Sequence, residues 1–233
     1  MASSFGQVDN HSSILVVESN EALAQRIVLD LRQSGYIPIV ATDQVTAIQY
    51  FHQHQPMMVV IDLHLPGDWG LNLCEHLRTL GSVVPLLLLL QQDGVKERVA
   101  CLESGADDYL LKPYRSDDFL QRVDLYLQPP TPQSDEMRFG DLVLDLSTRQ
   151  AIRNGRVMGL TMKEFELLKY LMDHPREVLT REQILENVWG YNFIGESNVI
   201  EVYIRYLRLK IEDEGGKRLI QTVRGVGYVL REN

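Results

Sequence analysis

At 233 residues the chain is long enough for two ordinary domains, each able to bury its own core. With 45% hydrophobic and 24% charged residues it reads as globular along most of its length, which excludes a disordered chain. The net charge of −9 argues against nucleic acid as a partner of the whole surface, but the charge is unevenly spread. Up to Leu127 there are 8 Lys and Arg against 16 Asp and Glu; beyond it there are 15 against 16. The acidity belongs to the first half, and a local basic face remains open to the second.

Residues 1–12 are polar, without periodicity, and predict a loose tail. They lack a basic stretch followed by an apolar core, so no signal peptide is expected. An apolar run at 14–17 predicts a strand ending at Glu18-Ser19-Asn20, and Leu23, Ile27 and Leu31 give helical spacing over 21–34 before a stop at Gly35. A strand over 37–41 and a helix over 45–54 follow. Next comes Met58-Val59-Val60-Ile61-Asp62, an apolar run that meets a carboxylate and then Pro66-Gly67. So short a continuous run predicts a strand buried on both faces, as in a parallel sheet. Helices near 71–80, 95–104 and 116–127 alternate with strands over 85–90 and 109–111. The leucine run 86–90 is far too short to span a membrane. Cys74 and Cys101 lie inside apolar-periodic segments and are expected as reduced core residues of a cytoplasmic protein; no metal-type Cys/His spacing occurs.

Five strands alternating with five helices predict a doubly wound, five-stranded parallel α/β (flavodoxin-like) domain. Glu18, Asp62 and Lys112 then fall at strand carboxyl ends, where open α/β sheets place reactive groups. Two acids beside a lysine suit a phosphoryl acceptor whose developing charge Lys112 and a divalent cation would stabilise. A cis bond at Lys112-Pro113 would aim the ammonium back toward the acids.

Residues 128–135 are Pro-rich and polar and predict a stiff linker. The division expected is a tail over 1–12, an α/β domain over 13–127, a linker over 128–136 and a second domain over 137–233. That domain opens with strand-like pieces over 137–146, 150–153 and 157–160, with an Asn154-Gly155 hairpin signal between the last two. Thr161 with Glu164, and Thr180 with Gln183, are capping boxes that start two helices. Ser197 is expected to cap a third helix reaching about Glu212, and a final hairpin turns at Arg224-Gly225. Three helices and a terminal hairpin make an α+β winged helix-turn-helix.

In such a domain the third helix enters the major groove and the hairpin touches the minor groove or backbone. The groove-facing candidates are Asn198, Val199, Tyr203, Arg205, Tyr206 and Arg208, then Lys210, with Ile200, Ile204, Leu207 and Ile211 as core. Arg205 would read a guanine edge or bind phosphate; Arg208 and Lys210 are expected on phosphate, and Arg224 at the wing. Whether the two tyrosines face DNA or pack at the domain edge stays open.

The strings VVIDLHLPG and GADDYLLKPY and the ILVVE opening resemble the receiver domain of two-component response regulators. LTMKEFELLKYL, LTREQILENVWGY and LIQTVRGVGYVL resemble the OmpR/PhoB effector domain over about 137–231. The resemblance implies that Asp62 is the phosphorylated aspartate, Lys112 the receiver lysine and Tyr109 the aromatic switch residue. It makes Glu18, Asp62 and the His64 backbone carbonyl ligands of Mg²⁺. It also implies a homodimer in which Arg98 pairs with Asp118 and Asp108 with Arg122, whereas a further position pairs like-charged Glu103 and Asp124. A sensor histidine kinase, double-stranded DNA and RNA polymerase, the last through the loop 189–195, are the implied partners. Trp189 itself is expected to anchor that loop in the core.

Two departures bear on mechanism. The receiver family has two adjacent acids after the first strand; here only Glu18 stands, with Ser19 and Asn20 after it. Losing a charged ligand should weaken Mg²⁺ binding, so no cofactor is required. Where the family has Thr or Ser, Leu90 cannot hydrogen-bond a phosphoryl oxygen. The expected protein is a non-enzymatic, DNA-binding transcription regulator with an atypical receiver, similar in this to the cyanobacterial NblR type, whose output depends weakly or not at all on phosphorylation. A conventional phosphorylation-switched regulator is the alternative. Further readings are a phosphohydrolase or phosphotransferase built on Asp62, and a protein-binding adaptor without DNA contact.

Overall fold

The computed structural model describes residues 13–67, 69–91, 94–127, 136–190, 198–212 and 217–232. The chain folds as two units. The first is a five-stranded parallel sheet flanked by helices, in the order β1 (Ser13–Val17), α1 (Glu21–Gln33), β2 (Ile37–Ala41), α2 (Gln44–His54), β3 (Met58–Asp62), α3 (Trp69–Thr79), β4 (Leu86–Leu90), α4 (Val95–Glu103), β5 (Asp108–Leu111) and α5 (Ser116–Leu127). The strand order β2-β1-β3-β4-β5 reverses beside β1, so the carboxyl ends of β1 and β3 open a crevice there. Every residue of β1, β3 and β4 is buried, as the unbroken apolar runs require.

Local chemistry sets the element ends. Asn20 caps α1 by accepting from Leu23 N at 3.1 Å, and Asp43 caps α2 by accepting from Thr46 N at 2.9 Å. Gly70 lets α3 press onto the end of β3: a Cβ there would lie 2.7 Å from the Asp62 carbonyl oxygen. Below the sheet, Arg78 gathers three loop carbonyls, those of Gly105, Ser82 and Val84, and pairs with Asp107 at 2.6 Å. Asp107 in turn accepts from Leu86 N at 2.8 Å, which fixes the start of β4. Cys74 and Cys101 are free and buried, and burial pushes the Cys74 thiol up to about 12.

The second unit begins with the antiparallel sheet β6 (Glu136–Phe139), β7 (Leu142–Asp145), β8 (Gln150–Arg153) and β9 (Arg156–Gly159). The sequence suggested one strand over 137–146; the chain instead turns at Gly140, whose φ of +57° suits glycine. Asn154 and Gly155 both have positive φ, as the two-residue hairpin turn needs. Helix α6 (Met162–Asp173) starts in the Thr161–Glu164 capping box. α7 (Arg181–Ile184) starts in the Thr180–Gln183 box and continues as a π-turn over Leu185–Trp189. The third helix, α8 (Val199–Ile211), precedes the hairpin of β11 (Ile220–Val223) and β12 (Gly227–Leu230). A short strand that the sequence did not suggest, β10 (Leu179–Thr180), pairs with β12. Gly227 is the point of closest approach, since a Cβ there would sit 1.9 Å from the Leu179 carbonyl oxygen. The core packs α6 and α8 together through Leu167, Leu168, Leu171, Ile200, Ile204 and Leu207. The linker residues 128–135, the cap at Ser197 and loop residues 191–195 fall outside the described residues.

Removing one partner of a buried ion pair leaves the other charge uncompensated. Arg78→Ala should therefore destabilise the first unit by about 3 kcal/mol or more, read from urea unfolding of the full chain. A loss under about 1 kcal/mol, the ordinary value of a solvated pair, would mean the cluster is peripheral.

Candidate functional site: an acidic pocket and an exposed helix

β1, β3 and β5 deliver Glu18, Asp62 and Lys112 to one end of the parallel sheet. The Lys112 Nζ lies 2.7 Å from Asp62 Oδ1, with Asp62 only 4% exposed. The same oxygen accepts from His64 N at 3.1 Å, and the Lys112-Pro113 bond is cis. Glu18, 1% exposed, accepts from Asn20 N through Oε1 at 2.8 Å, while its Oε2 is buried without a hydrogen-bond partner among the described residues. Burial raises the Glu18 carboxyl above its usual range, and the neighbouring Asp62 carboxylate adds to this; the Asn20 amide and Lys112 pull the other way. A cleft of about 340 Å³ opens over the pair, lined by Asn20, Asp62, Gln91, Lys112, Arg26 and Tyr114 among others. Arg26, which carries no signal in the sequence, donates to the Tyr114 carbonyl at 2.9 Å and lies 5.3 Å from the Tyr114 ring centre.

Two further groups define this end of the sheet. Leu90 is fully buried at the carboxyl end of β4, with its carbonyl accepting from Lys112 N at 2.7 Å. Tyr109, half-buried, stands beside Leu88 in register. Ser19 is exposed and lines a separate groove with α1 residues. The His64 side chain reaches α4, its Nε2 lying 3.5 Å from Glu97 Oε1, a partner with no sequence signal. Among the described residues no cluster of three or more His, Cys, Asp or Glu converges. A lone buried carboxylate oxygen beside a second carboxylate nonetheless suits one divalent cation.

On the far side of the sheet, Asp108 and Arg122 are ion-paired within the chain. The sequence suggested that pair across a two-fold axis; β5 and α5 already bring the two side chains together. Asp118 is exposed on α5, Arg98 lies on α4, and Asp124 accepts from Tyr36 Oη at 3.0 Å. Burial, then that carboxylate, raises the Tyr36 hydroxyl to about 12.

The expected groove-facing set of the second unit divides. Val199 (0% exposed) and Tyr203 (1%) are core residues, which corrects their assignment to the groove. Helical phase sets both at the border of the inward stripe, and Trp189 packs edge-on to Tyr203 at 5.4 Å, half-buried as its anchoring role requires. Tyr206 is half-buried against Tyr203 at 5.9 Å, so both tyrosines pack rather than project. Arg208 donates to the Ile220 carbonyl at 2.8 and 3.1 Å and to Thr222 Oγ1 at 3.0 Å, which ties α8 to β11. Lys210 Nζ is 2.5 Å from Glu164 Oε2 and 3.1 Å from the Gly159 carbonyl. Because Glu164 is buried, Lys210 supplies its counter-charge; both cations thus make bonds inside the domain, which the sequence did not suggest.

Asn198, Arg205 and Arg224 remain exposed, as do Leu209 on α8 and Val226 beside the hairpin tip. Asn198 makes no side-chain cap bond. Glu201 is paired with Arg181, whose guanidinium lies 5.7 Å from the Tyr228 ring centre. The carboxyl end of α8 is held by arginines that the sequence left unremarked. Buried Arg153 grips Asp141 at 2.9 and 3.0 Å and donates to the Ile211 carbonyl at 2.8 Å, and Arg156 donates to the Lys210 carbonyl. No helix among the described residues is long and apolar enough to cross a membrane.

Comparison with known proteins fits this geometry. Residues 14–124 match the response regulator receiver domain, and 155–230 match the C-terminal domain of transcriptional regulatory proteins. The chain is 45% identical over 224 residues to the response regulator MprA of Mycolicibacterium vanbaalenii, covering 94% of this chain and 97% of that protein. It is 44% identical over 223 residues to MprA of Mycobacterium leprae, covering 94% and 98%. A solved structure of a RitR mutant superposes with a TM-score of 0.62 at 28% identity, covering 95% of this chain and 100% of that one. The chain accordingly belongs to the response-regulator family, of the OmpR/PhoB type that joins a receiver domain to a DNA-binding regulatory domain.

Proposed function

We propose that this response regulator binds specific DNA sequences with an output that depends weakly, or not at all, on phosphorylation of Asp62. The observation that carries this reading is Leu90, wholly buried at the end of β4 where a hydroxyl would have to meet a phosphoryl oxygen. An isobutyl side chain offers no donor, so a phosphoryl group on Asp62 would gain nothing there to pull Tyr109 inward. The receiver is in that sense atypical, of the kind seen in the NblR type. The conventional switch is the second reading, favoured by the Lys112–Asp62 contact of 2.7 Å, which leaves acceptor and lysine in reach of each other.

Mg²⁺, where it binds, would be held by Glu18, Asp62 and the His64 carbonyl, and it would neutralise charge on a phosphoryl group. Lys112 meanwhile holds the Asp62 carboxylate in place through its 2.7 Å contact, and Leu90 gives that side an apolar floor. Two carboxylates in place of three make the cation weakly held. The chain works in the cytoplasm as a homodimer formed through the receiver. The Arg98–Asp118 charges would contribute about 0–1 kcal/mol as a solvated pair across the two-fold axis, while Asp108 and Arg122 are already paired within each chain. RNA polymerase and a sensor histidine kinase are its protein partners. On the effector side, Arg205 and Arg224 are the exposed cations set toward DNA, one on α8 and one at the wing.

For Asp62→Ala, duplex binding and dimer formation should stay within about twofold of the parent, or about 0.4 kcal/mol, in mobility shifts and sedimentation. A tenfold loss in the folded variant would restore the phosphorylation switch. Binding by the full chain should weaken about tenfold or more between about 50 and 200 mM salt, as counterion release demands. An adaptor would bind no duplex at any salt.

The buried Glu18 carboxyl carries a pH signature. Its folded pKa lies above the unfolded value, so its destabilising effect is absent below the unfolded pKa and grows as pH rises through the folded one. Glu18→Gln should therefore match the parent near pH 4.5 and exceed it in melting temperature at pH 7.5 without divalent cation. A Gln variant that melts lower at pH 7.5 would mean the carboxylate is stabilised as the anion.

A further inference from the structure

With Val199 and Tyr203 in the core and Arg208 and Lys210 bound internally, the outward face of α8 is a single stripe. It runs Asn198, Val202, Arg205, Leu209, at spacings of four, three and four residues. Among the described residues Arg205 has no ion-pair or hydrogen-bond partner, and Leu209 is 67% exposed. At 1.5 Å per residue the stripe is about 16 Å long, the rise of about five base pairs. We propose that Arg205 and Leu209 choose the DNA sequence: Arg205 takes a guanine edge, and Leu209 packs on the C5-methyl of a thymine about two base pairs away.

This inference rests on the reading of α8 as the groove helix and goes beyond it in assigning bases. A helix face that lies along phosphates needs cations or hydroxyls, because phosphate oxygens are hydrated anions. The face of α8 has one guanidinium with an aliphatic side chain about one turn to either side, a pattern that matches base edges instead. In the major groove, guanine shows two acceptors, O6 and N7, which a guanidinium meets with two parallel donors. The thymine methyl is the one apolar group there, and an exposed leucine loses its water contact favourably against it. Four residues of helix separate Arg205 from Leu209, about 6 Å, which sets the two-base-pair offset. Glu201 does not compete for cytosine, since its carboxylate is paired with Arg181.

The test uses the full-length chain and a duplex site chosen from a random-sequence pool at low salt. The selected site should hold a guanine with a thymine, on either strand, about two base pairs away. Replacing that thymine by deoxyuridine, which lacks only the methyl, should weaken the parent severalfold and leave Leu209→Ala unaffected. Replacing the guanine by 7-deazaguanine should weaken the parent about tenfold and leave Arg205→Ala unaffected. Both side chains are exposed, so thermal melting should show the variants folded. Equal deoxyuridine sensitivity in the parent and in Leu209→Ala overturns the leucine assignment. A uniform affinity loss in Arg205→Ala, with base preference intact, makes Arg205 a phosphate contact and overturns the other half. If no pool sequence is bound at all, the DNA-binding reading itself fails, an outcome distinct from either.

Discussion

Burying a charge in this chain demands a counter-charge or a set of hydrogen bonds, and that demand organises both domains. Asp62 is held by Lys112, Asp107 by Arg78, Glu164 by Lys210, and Arg153 by Asp141 with two backbone carbonyls. Each partner comes from a different element, so the pairs lock loops and helix ends into one arrangement. An unpaired charge in such surroundings would cost several kcal/mol, on the order of a sizeable part of a domain's stability. Glu18 is an informative exception. One of its oxygens has no hydrogen-bond partner among the described residues, and burial, with the nearby Asp62 carboxylate, raises its proton affinity.

The same constraint changes how a basic residue should be read. Arg208 and Lys210 look like DNA contacts in the sequence because they are cations on the third helix. In the folded domain they serve the protein: Arg208 ties α8 to β11, and Lys210 neutralises the glutamate of the α6 capping box. On the face of α8 proposed to meet DNA, Arg205 is the guanidinium that has no partner among the described residues. A domain that presents few cations gains less affinity from phosphates, so contacts to base edges must carry a larger share of its binding.

In the receiver the departures act on different steps. Replacing an acid by Ser19 bears on cation affinity, because Mg²⁺ favours charged oxygen ligands. In the reading proposed above, Leu90 would bear on the response to a phosphoryl group, since its side chain has no hydrogen-bond donor to offer. The Asp62–Lys112 pair survives both changes, as it must, for a carboxylate that deep would otherwise be uncompensated.

Fold class, the sheet's alternation, both capping boxes and the pocket residues Glu18, Asp62 and Lys112 were legible in the one-dimensional pattern. They are local signals: an apolar run, a cap three residues from its partner, a carboxylate at a strand end. The turn at Gly140, the strand at Leu179–Thr180, the Arg26 and Glu97 neighbours and the duties of Arg153, Arg208 and Lys210 were not. Tyr203 shows why. Helical phase put it at the border between the buried stripe and the open face, and only the packing of Trp189 against its ring decided which side it took. Periodicity determines which residues share a face, but partners brought together from distant parts of the chain decide whether that face meets solvent, another side chain or a ligand. Those pairings exist only once the chain has closed on itself.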